Sequence, residues 1–301
     1  MTIALIIDTD VALGVSEDGQ PRDVDDAYAM VEAINIEAIT LAGITTVHGN
    51  ASLERVDAIA RQIVARTGTD VPVRSGASER ITEMGEVGPT NDAVEFMAEV
   101  LAAGRCHIAA IGPLTNLGLL IAHHPQCLHN IESVVMVGGR TADNRFYIGN
   151  VGPVNDFNFE HDVRAARLLL ESSVPVVMAG FELTHKVSMT ARELDAIRAH
   201  RTEISEFLYQ NSLDWLDFVT NRFPSDAGFH PWDSAAISWL AHPGYFISET
   251  RGWRIRESPD EPGDWWLETS ESFPGDRIVF ITGFDTHGAR NFVEDIVSSI
   301  F

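Results

Sequence analysis

The stretch Ile3-Ala4-Leu5-Ile6-Ile7-Asp8-Thr9-Asp10 decides how this chain folds. A short apolar run bounded by polar residues reads as a strand buried on both faces, the kind found inside a parallel sheet. Acids placed directly after it stand at a carboxyl end, where open α/β sheets bind their ligands. A second acidic group, Asp23-Val24-Asp25-Asp26, opens the helical-looking Ala27-Tyr28-Ala29-Met30. Carboxylates gathered in this way repel one another unless a cation neutralises them, and an all-oxygen set suits a hard ion such as Ca²⁺ or Mg²⁺. The same residues also have ordinary uses: Asp8 can end the strand, and Asp23 or Asp25 can cap the helix. Spacing alone leaves both readings open.

Outward from this stretch, strand-like and helix-like segments alternate. Residues 38–47 read as a strand, and 53–66 carry Val56, Ile59, Ala60, Ile63 and Val64 at helical spacing. A short strand at 71–73, a helix at 92–103, a strand at 108–111 and a helix ending near His123 follow. Strand 133–137, helix 162–171, strand 174–179 and helix 191–199 extend the series. The alternation predicts an α/β fold with an open, mainly parallel, Rossmann-like sheet covered by helices. After residue 200 the pattern weakens. An aromatic-rich helix spans 202–221, another follows Asp233, and 253–269 alternates as a hairpin about Pro259-Asp260-Glu261-Pro262-Gly263. A strand at 277–282 and a helix from about Thr286 close the chain. With no repeat and no Gly/Ser linker, residues 1–301 are expected to form a single domain. Its least regular part is the loop 11–24, with Gly14, Gly19 and Pro21, which is expected to be mobile.

Bulk composition narrows the functional classes. The 301 residues include 21 basic and 44 acidic side chains, a formal charge of −23. Such a surface repels phosphate backbones, so no nucleic-acid partner is expected. Mean hydropathy is near zero, and no apolar run approaches the roughly 20 residues that span a bilayer. The first apolar run lacks a preceding basic region and reads as a strand rather than a signal peptide. No membrane association is expected, and cytoplasmic residence is the default. Cys106 and Cys127 are the only cysteines. They form neither a disulfide framework nor a zinc set, and Cys106 reads as a reduced core residue.

Polar residues recur after the expected strands: Asp8 and Asp10, then His48-Gly49-Asn50, then Gly112-Pro113-Leu114-Thr115-Asn116. Asn150, Asn155, Asp156 and Asn158 follow the fifth, and Asp233 stands late in the chain. In a parallel sheet these ends share one edge and converge. Asn and Asp together donate to and accept from hydroxyls, which suits a polyhydroxylated ligand.

The strand ending in Asp8-Thr9-Asp10, with Asp25-Asp26-Ala27, resembles the DTDxGxDDAxA signature of the inosine–uridine nucleoside hydrolase family. The resemblance continues through residues 44–50, 112–116 and Val137-Gly138-Gly139. Gly149-Asn150, Asp156-Phe157-Asn158, Leu183-Thr184-His185 and Trp232-Asp233 extend it in the family's order. It implies the nucleoside hydrolase fold and cleavage of the N-glycosidic bond of a ribonucleoside by water. It also implies a Ca²⁺ ion held by Asp10, Asp26 and Asp233 with the backbone carbonyl of Ile111, and Asp8 supporting that shell. Asp10 would act as general base toward the water that the ion acidifies. Asp25, Asn50, Asn150, Asp156 and Asn158 would grip the sugar, and a negative pocket would stabilise its oxocarbenium character. Relatives of this kind imply a homodimer or homotetramer.

Three departures qualify the match. Fourteen residues separate Asp10 from Asp25, whereas the motif as written leaves three, so the insertion is expected to bulge from the pocket rim or fold over it. Asp156 stands where many members have glutamate, one methylene longer. The histidine that many members carry before the last metal aspartate is replaced by Trp232, with His230 two residues earlier, and the loop 81–86 has none. His230 is the candidate donor to the leaving base, and Trp232 a candidate stacking surface. Two other functions compete. One is an altered member that binds or cleaves a different ribosyl compound. The other is a phosphatase of the haloacid dehalogenase type using an aspartyl nucleophile, which the later motifs fit poorly.

Overall fold

The structure, a computed structural model, describes residues 2–82, 85–258, 263–275 and 277–301, with Thr184 described by its backbone only. The strands in chain order are β1 (Ile3–Thr9), β2 (Ser16–Glu17), β3 (Gln20–Pro21), β4 (Ile39–Thr46), β5 (Val73–Arg74) and β6 (Cys106–Ala110). They continue as β7 (Ile131–Val137), β8 (Arg140–Thr141), β9 (Val176–Ala179), β10 (Phe246–Glu257), β11 (Trp265–Ser270) and β12 (Arg277–Phe284). The α-helices are α1 (Asp25–Asn35), α2 (Leu53–Thr67), α3 (Asp92–Ala103), α4 (Thr115–His123), α5 (Phe157–His161) and α6 (Val163–Leu170). The later ones are α7 (Phe181–Thr184), α8 (Ala191–Arg198), α9 (Glu203–Arg222), α10 (Ser234–Ala241) and α11 (Gly288–Ser299).

Ten strands form the central sheet in the order β5-β4-β1-β6-β7-β9-β12-β10-β11-β8. Pairing is parallel from β5 through β12, antiparallel for β12 with β10 and β10 with β11, and parallel again for β11 with β8. The mainly parallel sheet read from the sequence is therefore present. Both faces are covered because successive residues of each strand point opposite ways. Leu5 and Ile7 enter one apolar cluster with Ala109, Ile111 and Val135, while Ile6 enters the other with Ile108, Ala110 and Val134. Cys106 and Cys127 are free and buried in the second cluster.

The chain steps from β1 outward to β4 and β5, then returns across β1 to β6. That reversal is a topological switch point, and it opens a crevice at the carboxyl ends of β1 and β6. The main-chain N–H groups of Ile111 and Gly112 both donate to the Asp8 carbonyl, at 2.9 and 3.2 Å, which locks the two strand ends together.

Several segments differ from the sequence reading. The loop 11–24 contains the hairpin β2–β3, whose turn residues Asp18 and Gly19 have φ of 52° and 77°, as two-residue hairpin turns require. Its first limb is packed, with Val11, Ala12, Leu13 and Val15 buried. The helix expected at 162–171 is α6, which Asp162 caps by accepting from Ala165 N, and the short α5 before it is an addition to the sequence reading. β10 begins at Phe246, earlier than the expected hairpin, since residues 246–252 pair with β12 before 252–257 pair with β11. The expected turn at 259–263 lies, except for Gly263, outside the described residues, as do Glu83 and Met84 of the loop 81–86. No helix among the described residues is long and apolar enough to cross a membrane.

Candidate active site

Acids from three parts of the chain meet at the switch point. Asp8 and Asp10 come from the end of β1, Asp25 and Asp26 from the first turn of α1, and Asp233 from the residue before α10. All five are buried. A helix N-terminus tolerates acids because its free N–H groups and its dipole favour negative charge. The Thr9 hydroxyl donates to Asp26 Oδ1, and the Asp233 N–H donates to Asp25 Oδ2 at 3.0 Å. Oxygens of Asp25, Asp26 and Asp233 all lie within 4.8 Å of one another.

Asp10 stands beside this group with one oxygen committed and one free. Its Oδ2 accepts from the Asn50 N–H at 2.7 Å, while its buried Oδ1 has no protein partner among the described residues. Two glycines make room for it. A Cβ on Gly49 would lie 2.0 Å from Asp10 Oδ2, and one on Gly112 would lie 3.0 Å from Oδ1. Behind it, Asp8 Oδ1 accepts from Thr45 Oγ1 at 2.6 Å and Asn116 Nδ2 at 2.8 Å.

Burial first, and then neighbouring acids, shift these groups upward. Asp26 is pushed to about 7 by burial and the charge of Asp25. Burial lifts Asp8 to about 7 against the hydrogen bonds that Thr45 and Asn116 donate. Asp10 and Asp233 are raised well above the ordinary range, Asp10 by burial and Asp26, Asp233 by burial and the other acids. Uncompensated buried charge is costly, and a cation is the partner that an all-oxygen set with a free carboxylate oxygen accommodates.

Above the acids lies a cavity of about 350 Å³ lined by Asp25, Asp26, Asn50, Ile111, Asp156, Asn158, His230, Trp232 and Asp233. The structure thus brings together most of the residues singled out in the sequence. The Ile111 carbonyl accepts from Asn158 Nδ2 at 3.1 Å, and the same nitrogen reaches the Val137 carbonyl at 3.3 Å. Asp156 is drawn toward the sheet, its Oδ2 accepting from the Gly139 N–H at 2.7 Å. Burial raises it to about 6, with Arg140 opposing. Arg140 itself is buried, 3.9 Å from Glu160. His230 has both ring nitrogens engaged: Nδ1 donates to the Val187 carbonyl at 2.7 Å, and Nε2 faces Asp226 Oδ2 at 3.2 Å. Asn150 is exposed and outside the cavity lining, although its neighbours Ile148, Val154 and Asn155 belong to it.

The cavity has walls that sequence reasoning did not assign. Gln20, Pro21, Arg22 and Asp23 of the insertion line it, so the insertion folds over the rim. It is tethered on the outside: Gly14 packs on Asn211 of α9, where a Cβ would lie 2.4 Å from Oδ1. Glu17 lies 3.7 Å from Arg22 and 3.5 Å from Arg55. Phe146 and Phe181 also line the cavity. Phe181 had a readable signal, since it lies two residues past the carboxyl end of β9; Phe146 had none.

A plant nucleoside hydrolase superposes with a TM-score of 0.82 at 18% identity, covering 100% of this chain and 99% of that one. A purine-preferring ribonucleoside hydrolase from Gardnerella vaginalis gives 0.81 at 21% identity, covering 99% and 98%. The architecture is therefore that of the nucleoside hydrolases. In sequence, the profile of the inosine-uridine preferring nucleoside hydrolases matches residues 5–285, and this chain belongs to that family. The pyrimidine-specific ribonucleoside hydrolase RihA of Shewanella woodyi is 29% identical over 255 residues, 75% of this chain and 78% of that protein. RihA of Photobacterium profundum is 30% identical over 254 residues, 74% and 78%. The chemistry of the family is hydrolysis of ribonucleosides to ribose and free base.

Proposed function

We propose that this chain hydrolyses ribonucleosides with a Ca²⁺ ion held by Asp10, Asp26, Asp233 and the Ile111 carbonyl, Asp10 serving as general base. The observation that carries the reading is the free Oδ1 of Asp10 beside the Asp25–Asp26–Asp233 group, buried with no protein partner. When bound, the cation neutralises the acid cluster and acidifies a water that it coordinates.

The chain's own residues supply the rest. Asn50 N–H fixes the Asp10 carboxylate, so its other oxygen is the one available to take the proton of the attacking water. Asp25, Asn50, Asp156 and Asn158 present acceptors and donors to the sugar hydroxyls, with Asn150 joining from the rim loop. As the bond from C1′ to the base nitrogen lengthens, positive charge on the ribose is stabilised by the acids beneath it. A site with this many committed polar partners discriminates against sugars lacking a hydroxyl, because buried groups are then left unpaired. His230, with both nitrogens engaged, shapes the wall rather than meeting the base. Assembly as a homodimer or homotetramer in the cytoplasm completes the proposal.

The test is release of reducing sugar from a panel of purine and pyrimidine ribonucleosides, with Ca²⁺ and after chelation. Turnover that chelation abolishes and Ca²⁺ restores is the expected result. Absence of turnover across the panel, with Ca²⁺ present and a ligand still bound, would instead support a binding member of the family.

A further inference from the structure

A second cavity, of about 940 Å³, lies against the first, and the hydrolase reading leaves it unused. Asn155 and Phe157 line both cavities, while Asp156 between them lines the first alone. Asp156 is held back against the sheet by the Gly139 N–H, which leaves its two neighbours as the shared wall. Asn155 in that wall is exposed. The aromatic residues of α9, Trp215, Phe218 and Phe223, line the first cavity and not the second.

The polar atoms of the second cavity are mostly acceptors. Thr115 spends its hydroxyl proton on Asp162 Oδ2 at 2.8 Å, so it accepts from His48 Nε2 at 3.0 Å. His161 Nδ1 donates to the Phe157 carbonyl at 2.9 Å. Burial lowers the pKa of both histidines, which keeps each ring neutral with its one proton already placed. His48 Nδ1 and His161 Nε2 are thus bare lone pairs, and neither meets a protein donor among the described residues. The carboxyl groups of Glu79 and Glu160 add further acceptors. The rings of Phe157 and His161 lie with centroids 3.7 Å apart, an apolar surface between those polar atoms. Acceptors around an apolar face suit a sugar, whose hydroxyls donate and whose C–H face packs on a ring. A phosphate fits poorly. Arg80 is the one basic side chain other than histidine among the described lining residues, it is exposed, and Glu79 stands beside it in the chain.

We propose that the second cavity binds a glycosyl group carried on O5′ of the nucleoside, so that the two cavities together take a disaccharide nucleoside. This rests on the nucleoside hydrolase reading and names a substrate class for it. With the base on the α9 side, C5′ is the part of the ribose that points away from it, and the glycosyl group crosses the rim at Asn155. The bond that breaks is the same. Its electron pair goes from C1′ to the base nitrogen, and water supplies the oxygen to C1′ and, in sum, the proton to the base. The link at O5′ stays intact, and the product is a disaccharide with ribose at its reducing end.

The test compares uridine, 5′-O-glucosyluridine and uridine 5′-phosphate in steady-state hydrolysis with Ca²⁺ present. Calorimetry compares the methyl riboside with its 5-O-glucosyl derivative; neither carries a base, so their affinities do not depend on turnover. Two variants outside the catalytic machinery are used. His161→Phe keeps a ring on Phe157 and removes the acceptor, and Ser78→Trp fills the cavity from an exposed position of its lining. The expected result is a kcat/KM for 5′-O-glucosyluridine about tenfold above that for uridine, carried in KM, with a gain of about tenfold in riboside affinity. Uridine 5′-phosphate is expected roughly tenfold or more below uridine, since Glu79 and Glu160 oppose its charge. Both variants are expected to remove the glucosyl gain while leaving uridine within about twofold of wild type. A glucosyl compound bound no better than its parent, a gain that survives either substitution, or a preference for the 5′-phosphate overturns the proposal. If wild-type protein cleaves none of the nucleosides, the hydrolase reading fails by itself, and the riboside affinities still decide the role of the second cavity.

Discussion

The side-chain nitrogen of Asn116 donates to Asp8 Oδ1 at 2.8 Å, and this one contact ties the start of α4 to the end of β1. The same nitrogen reaches the Thr46 carbonyl at 2.9 Å, and the amide oxygen accepts from Ala77 N at 2.9 Å. Asn116 is fully buried, so its loss removes a buried contact from each of these partners, although Asp8 Oδ1 keeps the Thr45 hydroxyl. Asn116→Leu is expected to destabilise the protein by on the order of 3 kcal/mol or more, from several buried polar groups left unmet. Denaturant unfolding measures the loss; a change under about 1 kcal/mol would show that the network repairs itself.

Gly49 gives a sharper test of Asp10 as the proposed base. An added methyl would lie 2.0 Å from Asp10 Oδ2, far inside contact distance. Gly49→Ala is therefore expected to lower kcat strongly, while Asp10→Asn lowers it by about a hundred- to ten-thousandfold, the range for removing a general base. Circular dichroism and steady-state nucleoside hydrolysis together check that the fold persists while turnover falls. A Gly49→Ala enzyme with wild-type kcat would contradict the placement of Asp10.

Glu32 on α1 sits away from the acid cluster, accepts from Ser238 Oγ at 2.9 Å, and is lifted by burial to about 8. A folded form that keeps a proton the unfolded chain releases is more stable at low pH. That contribution is fully present below the unfolded value near 4.5 and is lost as pH rises through about 8. Glu32→Gln, which has no charge to bury, is expected to stabilise the protein at pH 9 by on the order of a few kcal/mol. It should change little at pH 4. Thermal unfolding across this pH range provides the comparison, and parallel curves for the two proteins would refute the assignment.

Arg22 contributes the outer wall of the cavity and pairs with Glu17 at 3.7 Å. Half-buried pairs at this separation, still in contact with solvent, add little stability, so Arg22→Ala should leave the melting temperature within a degree or two of wild type, while KM for nucleosides shifts several-fold and kcat stays within about twofold. Kinetics on purified variant and wild type decide it; a kcat loss without a KM change would place Arg22 elsewhere in the reaction.

The alternation of buried strands and amphipathic helices was readable because a two-faced parallel sheet demands apolar strands and striped helices. The acids after β1 were readable for a related reason, since carboxylates at strand ends have few structural partners that would justify burying them. What escaped was set by tertiary contact. Asp25 joins Asp26 and Asp233 in one oxygen group, although the family resemblance assigns it to the sugar. Phe146 reaches the cavity from a loop with no periodicity. The β2–β3 hairpin is too short for alternation to show, and only Asp18-Gly19 hints at its turn. The engagement of His230 depends on Val187, distant in sequence and carrying no side-chain signal, since the contact is to its main-chain carbonyl.

The two feet of the insertion are joined directly, through the Thr9 hydroxyl on Asp26 and through Val11 N–H on the Thr9 oxygen at 3.2 Å. With the feet clasped, the span between them no longer governs the spacing of the acids. The closure entropy of a longer loop grows only slowly with its length. The segment from Ser16 to Arg22, beyond the buried Leu13 and Val15, is therefore where evolution or design can rewrite the mouth of the cavity while the floor keeps its shape.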